Sequence, residues 1–133
     1  MRVLVDSCVW SLVLRRSSEG VGEVGQELER LVRLGAVELM GPIRQEVLSG
    51  VRTEAQFAVL CEALSLFPEI EILPVDYLEA ARLYNLCRSK GIQGSGTDLL
   101  ICAVAIRVEV PVFTVDGDFV NYSKVIPVPL HGY

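Results

Sequence analysis

The chain is 133 residues long, 51% of them apolar and 22% charged, which suits one compact domain over residues 1–133 and excludes long disordered stretches. Twelve Lys and Arg against 17 Asp and Glu give a net charge of −5. That balance argues against a surface given over to binding nucleic acid by phosphate neutralisation, although acids gathered around a metal ion would remove much of the objection. No segment reaches the roughly 18 apolar residues of a membrane span. Met1-Arg2 leads into Val3-Leu4-Val5-Asp6, too short and too acidic for a signal peptide, so a cytoplasmic protein without a membrane association is expected.

Arg2 to Val5 predicts a short buried strand with Asp6 at its C-terminal end, followed by a helical turn from Ser7 to Leu14. From Val21 to Leu34 the apolar residues Val24, Leu28, Leu31 and Val32 recur on one face. Glu23, Glu27, Glu29, Arg30 and Arg33 fall mostly on the other, which predicts an amphipathic helix that Gly35 stops. Ala36 to Met40 reads as a second strand. Gly41-Pro42 then breaks the chain, and Pro42 suits the first turn of a helix carrying Glu46.

Thr53-Glu54-Ala55-Gln56 has the form of a capping box opening a helix to about Phe67, where Pro68 ends it. Ile70 to Leu73 is expected as a short strand, and Asp76-Tyr77-Leu78-Glu79 as the cap of a helix with Ala80, Leu83, Tyr84 and Cys87 at helical spacing. Ser89 to Gly96 is a polar, glycine-rich loop. After it Thr97 is expected to cap an apolar helix from Asp98 to about Val108. Val110 to Val115 predicts a fourth strand and Val125 to Val128 a fifth, interrupted by Pro127. Strands alternating with helices predict an α/β sandwich with a mainly parallel sheet, whose ligand crevice lies at the strands' C-terminal ends, where Asp6 and Asp116 fall.

Carboxylates beside buried segments are costly unless a cation or a hydrogen-bond network compensates them. Four stretches have this form: Val3-Leu4-Val5-Asp6, Ile43-Arg44-Gln45-Glu46, Gly96-Thr97-Asp98-Leu99-Leu100-Ile101, and Val112-Phe113-Thr114-Val115-Asp116-Gly117-Asp118-Phe119. Taken singly, each has a plainer reading: Asp98 as an acid favoured by a helix N-terminus, Glu46 as a solvated helix residue, Asp116-Gly117 as a turn. Asp118 would point the same way as Asp116 on an extended segment, or would cap a following helix in a turn. Cys8, Cys61, Cys87 and Cys102 lack zinc-ligand spacing and read as buried thiols in a reducing compartment.

In this order and at these separations the four stretches resemble those of PIN domains, and in particular the VapC-type toxin ribonucleases of prokaryotic toxin–antitoxin pairs, over essentially the whole chain. The resemblance implies a three-layer α/β/α sandwich with a central sheet of four or five strands. It also implies an acidic pocket of Asp6, Glu46, Asp98 and Asp116, with Asp118 as a further candidate, binding Mg²⁺ or Mn²⁺ and hydrolysing RNA to 5′-phosphate and 3′-hydroxyl ends. Hard divalent ions prefer such oxygen ligands, and they lower the pKa of bound water and stabilise charge on a leaving oxygen. By the same resemblance a homodimer and a small VapB-like antitoxin that covers the groove are expected, with the helices at 21–34 and 53–67 as docking surfaces.

Ser7 and Thr114 are candidate hydroxyl donors to the carboxylates. Cys8 departs from the family, whose members usually carry Ser, Asn or Thr two positions after the first Asp; a thiol donates weakly, and a core role is its simplest account. His131, alone and near the C-terminus, is a poor general base. Trp10 is expected in the core or at a partner surface, and Arg15, Arg16, Arg44, Arg52, Arg88 and Lys90 are the candidate phosphate contacts. The competing readings are a PIN-type RNA-processing nuclease that is not a toxin and an inactive PIN-like binding module. A receiver-type phosphoacceptor domain needs an acceptor Asp after a third strand and a late Lys, neither of which is evident.

Overall fold

A computed structural model describes residues 1–15 and 22–133. Arg16, the side chain of Arg15 and the expected helix start at Val21 lie outside the described residues. The described chain forms two compact units, Met1–Glu71 and Ile72–Tyr133. No helix among the described residues is long and apolar enough to cross a membrane.

The first unit begins with β1 (Val3–Val5), all three of whose residues are fully buried, as the unbroken apolar run requires. It pairs in parallel with β2 (Val37–Glu38), Val3 opposite Val37 and Leu4 opposite Glu38. Between them run α1 (Ser7–Arg15) and α2 (Gly22–Arg33), and Gly35 takes the left-handed conformation, with φ +67°, that ends α2. One acid assigned to the polar face of α2 is in fact buried: Glu27 is 6% exposed and takes two hydrogen bonds from Arg30, at 2.6 and 2.9 Å, which the i, i+3 spacing permits.

Pro42 lies in the first turn of α3 (Gly41–Leu48), and the Thr53 hydroxyl accepts from the Gln56 N–H at 3.1 Å to open α4 (Glu54–Leu64). Val9, Leu31, Leu39, Met40, Ile43 and Leu64 fill the core of this unit. Trp10 belongs to it too, 6% exposed with its ring 5.4 Å from that of Phe67.

The second unit contains α5 (Pro74–Ser89), α6 (Gly96–Val108), β3 (Val112–Phe113) and α7 (Asp118–Ser123). Seven consecutive residues of α6, Leu99 to Ala105, are buried, so this helix is apolar all round and packs as a core element. Its N-cap differs from expectation. The Ser95 hydroxyl accepts the Asp98 N–H at 3.0 Å, and Thr97 lies inside the first turn. Removing a cap hydroxyl costs about 1 kcal/mol. Ser95→Ala is therefore expected to lower stability by that amount in chemical denaturation, and Thr97→Ala by much less.

Three strands are present among the described residues, where four or five were expected. The Ile70–Leu73 segment forms no strand: a bridge between Leu39 and Glu69 lies just before it, Pro74 follows it, and the Leu73 N–H is taken by the Asp76 carboxylate at 2.8 Å. Asp76 is thus the third residue of α5 and caps it from inside. The Val125–Val128 segment forms no strand, since Pro127 and Pro129 supply no N–H. Pairing is deferred to one bridge between Val112 and Leu130. His131 belongs to that edge: its N–H donates to the Val112 carbonyl at 2.8 Å and its ring lies edge-on to Phe113, a packing role.

Candidate functional site

The clearest concentration of chemistry lies in the second unit. Oxygen atoms of Asp98, Asp116 and Asp118 all come within 4.8 Å of one another. Each is placed by local structure. Asp98 is fixed by the Ser95 cap in the first turn of α6, half-buried. Asp116 follows β3 in a tight turn in which its N–H donates to the Thr114 hydroxyl at 3.0 Å. The Asp116 carboxylate then accepts the Asp118 N–H at 2.9 Å, a side-chain-to-backbone bond that turns the chain into α7. The ambiguity over Asp118 is resolved by that turn: Asp116 does the capping, and Asp118, the first residue of α7, joins the cluster.

A further residue, Tyr122, was not expected from sequence. Its hydroxyl donates to Asp98 Oδ2 at 2.8 Å, and its ring is buried against Phe119. Burial and the neighbouring Asp98 carboxylate push the phenol well above its ordinary pKa, so Tyr122 stays protonated and remains a donor. In sequence it reads only as the helical partner of Phe119, three residues on. Gly94 lies against the same wall: a Cβ there would collide with the Leu99 side chain and press on the Tyr122 ring.

The first unit holds the other two predicted acids. Asp6 is 5% exposed at the junction of β1 and α1, its main-chain carbonyl accepting from the N–H groups of Val9 and Trp10 as the helix begins. Its carboxylate accepts the Ser7 N–H at 2.8 Å and the Cys8 thiol at 3.4 Å. The Ser7 hydroxyl donates to Glu46 Oε2 at 2.6 Å, so one serine ties Asp6 to the exposed Glu46 on α3. Ser7 therefore fills the donor role expected of it. Cys8 is only half-buried and touches the acid, so it holds the polar position rather than a core one. Cys61 is likewise half-buried, and Cys87 and Cys102 are buried as expected.

Three carboxylates this close repel one another, and a bound cation would relieve that repulsion. The donor set consists of oxygen atoms alone, with no Cys or His, which suits hard divalent ions and disfavours zinc or copper. The residues of the second unit thus fit a hard divalent ion, with Tyr122 holding the orientation of the Asp98 carboxylate.

The candidate cations divide. Arg44 is engaged by Glu69, at 2.6 Å, and only a quarter of its side chain is exposed. Arg52 lines a cleft of about 700 Å³ in the first unit, formed by Leu14 of α1, Val47 and Val51 around the end of α3, and Ala55, Val59 and Leu60 of α4, and containing none of the five acids. Arg88 lies over the Tyr84 ring, 5.9 Å from its centroid.

A sequence model described as the PIN domain matches residues 3–125. Among curated proteins none matches the sequence significantly. Several solved structures are similar in fold. The FitAB complex bound to an IR36 DNA fragment matches at TM-score 0.76 with 21% identity, over 97% of this chain and 93% of that one. VapBC2 of Rickettsia felis bound to a promoter DNA fragment gives TM-score 0.76 at 16% identity, over 100% and 99%. VapC20 of Mycobacterium tuberculosis, a sarcin-ricin loop cleaving toxin, gives 0.66 at 18%, over 95% and 98%. Identities this low speak to fold.

Proposed function

The chain belongs to the PIN-domain family, and on that premise we propose that it is a metal-dependent endoribonuclease, the toxin of a toxin–antitoxin pair. The observation that carries the reading is the gathering of Asp98, Asp116 and Asp118 within 4.8 Å, with the Tyr122 hydroxyl directed at Asp98. Asp98, Asp116 and Asp118 are the proposed ligands of Mg²⁺ or Mn²⁺, and Asp6 and Glu46 are proposed to serve the same reaction. When bound, the ion supplies Lewis-acid charge for an attacking water and for the departing oxygen.

The chain's own residues do the positioning. Tyr122 holds Asp98 Oδ2 and so fixes the orientation of that carboxylate. Ser7 fixes the Asp6 carboxylate through its N–H and the Glu46 carboxylate through its hydroxyl, so the two acids move as one. The lone His131 is committed to packing, which leaves proton traffic to carboxylates and solvent. The toxin reading draws support from the structural neighbours, which include FitAB and VapBC complexes. The apolar cleft formed by α1, α3 and α4 is the proposed seat of a VapB-like antitoxin segment, in keeping with the docking role expected of α4. A homodimer and a cytoplasmic location complete the proposal.

Purified protein incubated with single-stranded RNA is expected to cleave it only when Mg²⁺ or Mn²⁺ is added, leaving 5′-phosphate and 3′-hydroxyl ends. Expression alone is expected to arrest growth, with relief by an adjacent small open reading frame. RNA that is bound but left intact across both metal titrations would make the chain a binding module. Cleavage without toxicity would make it a processing nuclease.

A further inference from the structure

Along α5, Tyr77, Ala81, Tyr84 and Arg88 recur at intervals of four, three and four residues and so share one face of the helix. This face is not apolar filler. Tyr77 is 57% exposed, Tyr84 is half-buried, and the exposed Arg88 guanidinium lies 5.9 Å from the Tyr84 ring centroid. Neither Arg88 nor the neighbouring Lys90 forms an ion pair among the described residues, although the chain carries five more negative than positive charges. Uncompensated cations beside half-exposed aromatic rings are the groups that hold a flexible polyanion with flat bases.

Tyr84 also forms a wall between two hollows. One, of about 270 Å³, is lined by Tyr84, Arg88 and the Gly91–Gly94 loop, with Gln93 as a polar edge. The other, of about 550 Å³, is lined by Tyr77, Ala80, Tyr84, Asn85, Gly96 and Thr97 among others. Thr97 precedes Asp98, so the second hollow ends one residue from the acidic cluster of the same unit. A surface that begins with a cation–aromatic stack and reaches the first turn of α6, the turn that carries Asp98, has the layout of a substrate track.

We propose that Tyr84 is a base-stacking, specificity-determining residue that seats one unpaired nucleotide of a single-stranded RNA beside the acidic cluster, with Arg88 and Lys90 holding the adjacent phosphates. The proposal rests on the nuclease reading above and names the form of its substrate. Stacking on a ring requires a base already free of its duplex, so the track selects single strands, loops or ends over paired RNA. Asn85 and Gln93, at the rims of the two hollows, are placed to read base edges.

The test is fluorescence anisotropy of a single-stranded oligoribonucleotide of about eight nucleotides, in chelator so that the strand stays whole. Tyr84→Ala is expected to weaken binding by about tenfold to a hundredfold, the range for losing one base stack, while Tyr84→Phe, which keeps the ring, binds close to wild type. Arg88→Ala is expected to flatten the dependence of log K on log salt by about 0.7, one phosphate contact on a single strand. Duplex RNA of equal charge should compete poorly.

If Tyr84→Ala binds as tightly as wild type, the proposal is overturned. So it is if that variant changes only the sedimenting mass, which would make the face an interface between copies. The parent reading fails separately: wild type that leaves RNA uncleaved in Mg²⁺ and Mn²⁺, yet loses binding on Tyr84→Ala, keeps the track and discards the nuclease.

Discussion

Asp98→Asn is expected to lower Mg²⁺-supported RNA cleavage by about 10³-fold, because a metal ion contributes several kcal/mol of charge stabilisation and each 1.4 kcal/mol is tenfold. Asparagine keeps the volume of Asp98 and can still accept the Tyr122 hydroxyl, so the loss isolates charge from shape. A second readout separates a metal ligand from a merely structural acid. In chelator the variant should melt a few degrees higher than wild type, since one of three mutually repelling carboxylates within 4.8 Å has been neutralised. Wild type should gain stability on adding Mg²⁺, and the variant should gain much less. Tyr122→Phe, which removes only the donor to Asp98, is expected to sit between them, with activity down by about tenfold. Undiminished Mg²⁺-dependent cleavage by Asp98→Asn would remove Asp98 from the chemistry.

The positions of Asp6, Asp98, Asp116 and Asp118 were legible in the sequence because each ends an apolar run or lies in the first turn of a helix, and those boundaries follow from local pattern, whereas Glu46 lies inside α3. The β1 segment could hardly be anything but a buried strand, and the Thr53 hydroxyl bond to the Gln56 N–H, one half of the expected capping box, and the stop at Gly35 came out as read. What was illegible depended on hydrogen bonds already spoken for. Ile70 to Leu73 has strand-forming residues, yet the Leu73 N–H is used by Asp76 in a cap, and Val125 to Val128 contains Pro127 and is followed by Pro129, neither of which can donate. Ser95 and Thr97 are equally good caps in isolation, and only the helix start at Gly96 decides between them. Tyr122 carries no signal of its role, because its ring obeys core periodicity while its hydroxyl reaches a residue 24 positions away. Glu27 was misplaced for a related reason: a bidentate arginine one turn on lets a carboxylate be buried where pattern alone puts it in water.

Arg107→Met is expected to destabilise the protein by about 3 kcal/mol and to lower its melting temperature by roughly 10 °C. Asp76 is 2% exposed and accepts from Arg107 at 2.7 and 2.9 Å, so the pair joins the first turn of α5 to the last turn of α6. Methionine leaves that carboxylate buried with only the Leu73 N–H as partner. Because about a third of the Arg107 side chain is exposed, the lower end of the usual range for a broken buried pair applies. The pH dependence supplies the check. The hydrogen bonds from the Arg107 guanidinium, opposed by burial and helped by the Leu73 N–H, hold the Asp76 carboxyl below its ordinary value of 3.8. A depressed folded pKa means the stabilisation is complete above the unfolded value and is lost as pH falls through the folded one. In Arg107→Met the sign reverses, since desolvation without the arginine raises the same carboxyl, and protonation then relieves the buried charge. The stability gap between wild type and variant should therefore be widest near neutrality, begin to narrow above 3.8 as the variant's raised carboxyl protonates, and narrow further as pH falls through the lowered wild-type value. A gap of constant size from pH 7 to pH 3 would mean that Arg107 supports α6 by packing its aliphatic stem, with the ion pair to Asp76 contributing nothing.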